Sequence, residues 1–305
     1  MLKPLSSPPL DGWLVLDKPL GMSSARAVGH VRRALGAAKA GHGGTLDPLA
    51  TGVLPIALGE ATKTMSFVMN GAKAYRFTVT WGSETSTDDL EGAVTSTSGE
   101  RPSRNAIQAL VPKFTGEIEQ VPPSFSAIRI GGARSYARAR QGEEIELPPR
   151  TVRIDALTLL DATPEQAVFE LRCGKGTYVR ALARDMGRRL GCFGHVSALR
   201  RVVAGPFTEA DMISLALLDE FGHNSAGRKA VLKALRPLRT ALDDIPALAL
   251  SAAEAGRLKQ GQPVRLRSAE AHPERQPVLA LEGEKPVALS EVKNGFLHAR
   301  RVFNL

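Results

Sequence analysis

Cysteine is nearly absent: the 305-residue chain has two, Cys173 and Cys192. Two thiols cannot build a disulfide framework, and without His or Cys partners at matching spacing they do not make a zinc site. A reducing, cytoplasmic setting is therefore expected. Long apolar runs are missing as well. Trp13-Leu14-Val15-Leu16 and the stretch Ile213 to Leu218 fall well short of a signal-peptide core or a membrane span, so a soluble, untargeted protein without membrane contact is predicted. The nucleotide and metal signatures fail in turn. Gly174-Lys175-Gly176-Thr177 lacks the spacing of a phosphate-binding loop, and Gly41-His42-Gly43-Gly44 lacks the last glycine of a dinucleotide fingerprint. The six histidines are scattered with no metal-like spacing. Only the acidic turn Asp88-Asp89-Leu90-Glu91 offers Mg²⁺ a site, against the plainer reading of a solvated loop.

Acids are outnumbered: 40 Lys and Arg face 31 Asp and Glu, for a net charge of +9. From Arg172 to Arg201 the eight basic residues Arg172, Lys175, Arg180, Arg184, Arg188, Arg189, Arg200 and Arg201 meet one acid, Asp185, so +7 of the +9 lies in one stretch. A second window, Lys18 to Leu46, holds Lys18, Arg26, Arg32, Arg33 and Lys39 and no acid. Single-sign blocks on folded elements suit a phosphate backbone, because each neutralised phosphate releases counterions. A solvated helix face carries both signs interleaved instead. Nucleic acid is the predicted partner.

With 43% hydrophobic residues the chain can bury the core of one large domain and a small one. Trp13 to Leu16 reads as a buried strand ended by Pro19. Ser23 and Ser24 are alternative N-caps for a helix through Leu35, with Gly36 as its stop. Gly41 to Gly59 mixes turn residues with Leu, Val and Ile and reads as a loop packed into the core. Residues 73–81 alternate, with Tyr75, Phe77, Val79 and Trp81 on one face, the strongest strand signal in the chain. Ser103 caps a helix, and 152–159 and 167–173 are two further strands. A helix from about Tyr178 to Leu190 buries Val179, Leu182, Ala183, Met186 and Leu190 and aligns Arg180, Arg184 and Arg188 along a different face. A helix from about Arg228 to Leu242 precedes a boundary at Asp243-Asp244-Ile245-Pro246. Beyond it lie a helix at 250–258 and short strands around 277–282, 286–289 and 296–303. The fold class is α+β: a large mixed sheet in residues 1–245 and a small β-rich module in 246–305.

One carboxylate stands out. Asp47 is flanked by Leu46, Pro48 and Leu49, so partial desolvation would raise its pKa unless a cation answers it. An Asp before Pro is equally a turn former that bonds its own backbone. The same segment carries a resemblance. Leu16-Asp17-Lys18-Pro19-Leu20-Gly21-Met22-Ser23-Ser24, Gly41-His42-Gly43-Gly44-Thr45-Leu46-Asp47-Pro48-Leu49-Ala50-Thr51-Gly52 and Leu58-Gly59-Glu60-Ala61-Thr62-Lys63 resemble successive motifs of the bacterial tRNA pseudouridine synthase B (TruB) family. So do Lys73-Ala74-Tyr75, Gly174-Lys175-Gly176-Thr177-Tyr178-Val179-Arg180 and His195-Val196-Ser197-Ala198-Leu199-Arg200-Arg201, in the family's order. The chain departs from the usual pattern at Gly43, where Thr is expected, and at Phe125, where Tyr is expected; both changes spare Asp47.

The resemblance implies a pseudouridine-synthase-type mixed, mainly antiparallel sheet flanked by helices and loops, with a reduced PUA-like RNA-binding module at 246–305. It implies isomerisation of uridine to pseudouridine at position 55, in the T-loop of tRNA, by a monomer without a protein partner. The N1 to C1′ bond breaks, the uracil turns and C5 bonds to C1′, which requires neither cofactor nor metal. Asp47 would be the nucleophile, toward C6 of the base or C1′ of the sugar, with Arg180 as its partner. Tyr75 would stack on the uracil and offers its hydroxyl for removal of the C5 proton, while Tyr178 and Leu199 would wall the pocket. His42 matches the residue that fills the space vacated in the RNA loop. Lys18 and Lys63 match motif positions for which phosphate contact and support of the Asp47 loop both stand. The segment Gln120 to Arg153, with Arg129, Arg134, Arg138, Arg140 and Arg150, matches a mobile insertion that closes over the T-stem loop. The competing class is a non-catalytic RNA-binding or tRNA-folding chaperone using the same basic face.

Overall fold

The computed structural model describes residues 10–125, 129–130, 133–134, 147–222, 225–266 and 274–305. The chain opens with β1 (Gly12–Lys18) and helix α1 (Ser24–Leu35). The Ser23 hydroxyl caps α1 by accepting from the Arg26 amide, and Gly36 ends it at φ 63°. β2 (Ala40–His42) and β3 (Ala50–Leu58) enclose the Asp47 loop, and a 3-10 turn leads to α2 (Met65–Asn70) and β4 (Lys73–Trp81). A hairpin of β5 (Ser83–Thr85) and β6 (Val94–Thr97) precedes α3 (Arg104–Leu110), β7 (Gly116–Gln120) and the short strands β8 (Arg129–Ile130) and β9 (Ala133–Arg134). Next come β10 (Arg150–Ala162), β11 (Gln166–Cys173), α4 (Val179–Arg189), β12 (Gly194–Ala204), β13 (Phe207–Thr208), β14 (Met212–Ile213), α5 (Leu215–Asp219) and α6 (Ser225–Ala234). The C-terminal part holds β15 (Ala247–Ala249), α7 (Ala252–Lys259), β16 (Val264–Arg265), β17 (Pro277–Glu282), β18 (Lys285–Lys293) and β19 (Phe296–Val302).

Among the described residues the main sheet runs β14-β1-β3-β12-β4-β11-β10-β7, with β2 added beside β3 and β13 beside β12. Only β1 with β14 and β3 with β12 are parallel, so the sheet is mixed and mainly antiparallel, as expected. The centre of this sheet positions the site. β12 pairs on one side with β3, Leu199 opposite Ala50 and Arg201 opposite Gly52, and on the other with β4, Arg201 opposite Tyr75.

Both faces of the sheet are covered. Leu14, Leu16, Leu54, Ile56 and Phe77 pack against α1 and α4, and Trp13, Val15, Val53 and Ala57 form a second cluster on the opposite face. That two-sided burial explains why β1 reads as an unbroken apolar run rather than an alternation. The second cluster contains Leu279, Leu289 and Phe303 from the C-terminal strands. Those strands form their own sheet, β15-β17-β18-β19-β16, with a small private core around Leu258, Val278 and Leu297.

Two elements differ from expectation. The second half of the supposed core loop is strand β3, buried at every position from Gly52 to Leu58. Its glycine and proline disguise it: Pro55 sits in register with Val15 and its carbonyl accepts from the Gly43 amide at 2.8 Å. Gly52 is required there, since its φ is 94° and a Cβ would meet the Arg201 carbonyl oxygen at 2.3 Å. The helix expected through Leu242 stops at Ala234; Pro237 cannot continue it, and a 3-10 turn takes up residues 238–242. Half of the expected insertion, including Arg138 and Arg140, lies outside the described residues. Among the described residues no helix is long and apolar enough to cross a membrane.

Candidate active site

The loop between β2 and β3 carries Asp47 and is fixed from several sides. The Ser24 hydroxyl both accepts from the Leu46 amide and donates to the Leu46 carbonyl, each at 2.8 Å. Ser23 therefore serves as the helix cap and Ser24 as a tie to the residue before Asp47. On the other side of Asp47, the Gly21 amide donates to the Pro48 carbonyl at 2.9 Å. Lys18, fully buried, sends its ammonium to the carbonyls of Pro19 (3.0 Å), Met22 (2.6 Å) and Pro48 (3.3 Å). Of the two roles left open for Lys18, this geometry is loop support. Burial pulls its pKa down to about 8, opposed by the charge of nearby Asp47.

Asp47 has its cation. The guanidinium of buried Arg180 stands 2.9 Å from its carboxylate, and the same guanidinium faces Asp89 at 3.5 Å. Two further donations, to the carbonyls of Thr87 (2.8 Å) and Phe125 (2.9 Å), fix its plane. One turn along α4, Arg184 pairs with Asp88 at 3.1 Å and Asp185 at 2.8 Å and donates to the Val121 carbonyl. A turn further, Arg188 meets both oxygens of Glu84, at 2.7 and 2.6 Å. The arginine stripe of α4 thus faces the acids of residues 84–89 rather than a phosphate backbone. This corrects two expectations. Half of the basic window is ion-paired within the fold, since Arg200 also pairs with Asp17 and Glu209, and Arg201 is buried. The acidic turn is committed to arginines, its Asp88 held at φ 60° with its pKa raised to about 6, because burial outweighs Arg184 and Arg180.

The Asp47 carboxylate, 38% exposed, opens on a cleft of about 310 Å³ whose walls include Tyr75, Tyr178, Arg180, Leu199, Lys73 and Arg201. Such a volume belongs to small-ligand sites. Tyr75 projects from β4, half-buried; burial pushes its phenol up while the neighbouring Arg201 pulls it back. Tyr178 sits at the N-terminus of α4 with its backbone pinned by buried Gln120, whose amide donates to the Tyr178 carbonyl at 3.0 Å and accepts from its N–H at 2.8 Å. The Arg150 guanidinium lies 5.1 Å over its ring. Lys73 donates to the carbonyls of Val68, Met69 and Gly71, and burial lowers it to about 8.

Asp47, Tyr75, Tyr178, Arg180 and Leu199 are therefore brought together, with Lys18 beneath the loop. His42, on β2 opposite Ile56, is not among the residues that line the cleft. Lys63 is elsewhere and does not support the Asp47 loop. Its ammonium meets Glu60 at 2.5 Å and the Val302 carbonyl at 2.7 Å, joining the main body to β19. Sequence reasoning missed Ser24, Gln120, Asp89 and Arg201 as parts of the site. For Asp88 and Asp89 a signal existed, since the acids at 84, 88 and 89 match an arginine stripe of helical spacing.

Comparison with known proteins places the chain in one family. The N-terminal domain of TruB family pseudouridylate synthases matches residues 32–179, and the tRNA pseudouridylate synthase B C-terminal domain matches residues 180–243. The chain is 57% identical to tRNA pseudouridine synthase B of Bradyrhizobium diazoefficiens over 296 residues, covering 96% of this chain and 86% of that one. For the protein of the same name from Rhodopseudomonas palustris the identity is 56%, covering 96% and 81%. Among solved structures, one chain in a Cbf5-Nop10-Gar1 complex superposes with a TM-score of 0.73 at 24% identity, over 95% of this chain and 84% of that one, a likeness of fold.

Proposed function

Because the chain belongs to the TruB family of pseudouridylate synthases, we propose that it isomerises uridine to pseudouridine in tRNA, at position 55 of the T-loop, with Asp47 as the nucleophile. The observation that carries this reading is the half-exposed Asp47 carboxylate, held 2.9 Å from buried Arg180 at a cleft walled by Tyr75, Tyr178 and Leu199. The guanidinium gives the carboxylate a fixed charge-assisted partner and leaves its open side aimed at whatever fills the cleft.

A base buried in a folded RNA loop must be extruded to reach Asp47. That costs a few kcal/mol, offset in part by stacking on an aromatic ring at roughly 1–3 kcal/mol per base. Tyr75 offers that ring. Asp47 then bonds to C6 or C1′, the N1 to C1′ bond breaks, the uracil turns, C5 bonds to C1′, the bond to Asp47 breaks, and the C5 proton leaves while N1 takes one up. Only a proton is exchanged with the surroundings. Tyr178 and Leu199 confine the free uracil while it turns, and Lys18 keeps the loop of Asp47 in place. His42, beside the loop, remains the residue proposed to occupy the space left in the RNA. Residues 1–245 would form the catalytic domain and 246–305 a PUA-like module contacting the T-stem loop substrate, in a cytoplasmic monomer.

The test uses tRNA tritiated at uracil C5. Purified enzyme is expected to release tritium to water, and Asp47→Asn to abolish release while tRNA binding stays within about three-fold. Binding without release by the wild type would favour the chaperone reading, and normal turnover by Asp47→Asn would remove Asp47 from the nucleophile's role.

A further inference from the structure

Arg201 is among the largest fully buried side chains of the molecule, 1% exposed, and among the described residues no carboxylate pairs with it. A guanidinium taken out of water without a counter-ion is costly and persists only where its donors are all engaged. Here they are engaged by one loop. The Nε donates to the Val53 carbonyl at 2.7 Å, one terminal nitrogen to Gly44 at 3.0 Å and the other to Thr45 at 3.4 Å. Residues 44 and 45 form the limb of the chain entering Asp47, and Val53 lies on the limb leaving it. The guanidinium therefore closes the Asp47 loop across its base.

The position of Arg201 in the sheet gives that closure a second consequence. On β12 it stands in register with Gly52 of β3 and with Tyr75 of β4, so one residue bridges the strand that follows Asp47 and the strand that presents the stacking tyrosine. Both side chains line the cleft, and the charge of the guanidinium favours the ionised form of the Tyr75 hydroxyl, against the burial that disfavours it. The absence of side chains at Gly44 and Gly52 leaves room for this arrangement: a Cβ at Gly44 would come to 3.4 Å from the guanidinium, and one at Gly52 would strike the Arg201 backbone.

We propose that Arg201 is a positioning residue that sets the nucleophilic loop and the stacking tyrosine at one fixed separation, as a buried cation bound to backbone carbonyls rather than to an acid. The proposal rests on the reading of Asp47 as nucleophile. It makes no contact with tRNA phosphate part of Arg201's role, although the residue belongs to the basic stretch.

The experiment is single-turnover tritium release with enzyme in excess, in which the rate constant reports chemistry per active molecule and the amplitude reports the active fraction. Misplacing a reacting group by about 1 Å can cost on the order of 10²-fold. Arg201→Gln is expected to lose about that much in rate constant at full amplitude, Arg201→Lys to recover part of it, and tRNA Kd to stay within about three-fold for both. A wild-type rate constant at reduced amplitude would show a purely structural role and overturn the proposal, as would a loss that appears in Kd instead. A second measurement needs no Arg201 variant. In ¹⁵N-labelled wild-type enzyme, a slowly exchanging guanidinium signal is expected to shift in Tyr75→Phe and not in Tyr178→Phe; no such signal would overturn the link to Tyr75. Wild-type enzyme that releases no tritium would instead sink the isomerase reading and leave this link intact.

Discussion

Three buried or nearly buried cations crowd the Asp47 loop, and each is held differently. Arg180 is paired to acids, whereas Lys18 and Arg201 are solvated by backbone carbonyls alone. The distinction has a pH signature. Lys18 is lowered from 10.5 to about 8, chiefly by burial. Between those values the folded chain binds fewer protons at this site than the unfolded chain, so this contribution to stability rises as pH climbs from about 8 to 10.5. Below pH 8 the charged ammonium is retained in the fold at a cost. The stability of the wild type relative to Lys18→Met, which has no group to titrate there, is therefore expected to improve between pH 7.5 and 9.5. Thermal melts of both proteins at the two pH values check this, and an unchanged or shrinking difference contradicts it.

At the scale of elements, the catalytic arrangement depends on how α4 is anchored. Its first residues wall the cleft, yet Tyr178 has no side-chain cap bond to hold the helix start. Gln120 at the end of β7 does that work from a distance of 58 positions in sequence. Losing both bonds would leave the Tyr178 N–H unsatisfied, at about 1–3 kcal/mol, while its carbonyl still accepts from the Leu182 amide at 3.1 Å. Gln120→Ala is expected to lower stability by about 1–3 kcal/mol in denaturant titration and to slow tritium release more than it weakens tRNA binding. Equal losses in both would mean that Tyr178 does not depend on this anchor. The α4 stripe shows how far an element can be read from its sequence. Its buried face followed from helical spacing, and the destination of its polar face did not. Whether aligned arginines meet phosphates or acids depends on what the fold brings opposite them, here Glu84, Asp88 and Asp89, which are about as far away in sequence as they are close in space.

For the whole molecule, the net charge of +9 overstates the surface available to RNA. Of the eight basic residues between 172 and 201, Arg180, Arg184, Arg188 and Arg200 are ion-paired and Arg201 is buried. Lys175 is different: exposed, at the rim of the cleft, and touching only the Asn70 amide oxygen at 3.4 Å among the described contacts. Each cation that meets a phosphate adds about 1 to the salt slope of binding. Lys175→Ala is expected to weaken tRNA binding and reduce the slope of log K against log salt by about 1, while Arg188→Ala leaves the slope unchanged. Binding measured between 50 and 200 mM salt decides this, and equal slopes for all three proteins would contradict it.

The sequence by itself determined the order of motifs, the alternating strand that presents Tyr75 and the helix with Arg180, because periodicity and residue chemistry are local; Asp47 as nucleophile came only with the family resemblance. It misread β3, whose glycine is required by the close approach of the Arg201 backbone and whose proline sits in register with Val15. It left Lys63 open between phosphate contact and support of the Asp47 loop, and the fold uses it to fasten the last strand. Only the tertiary structure decided which charges are spent on one another and which face solvent. Charges add along a chain, but their pairing depends on distance in space and on the water excluded between them.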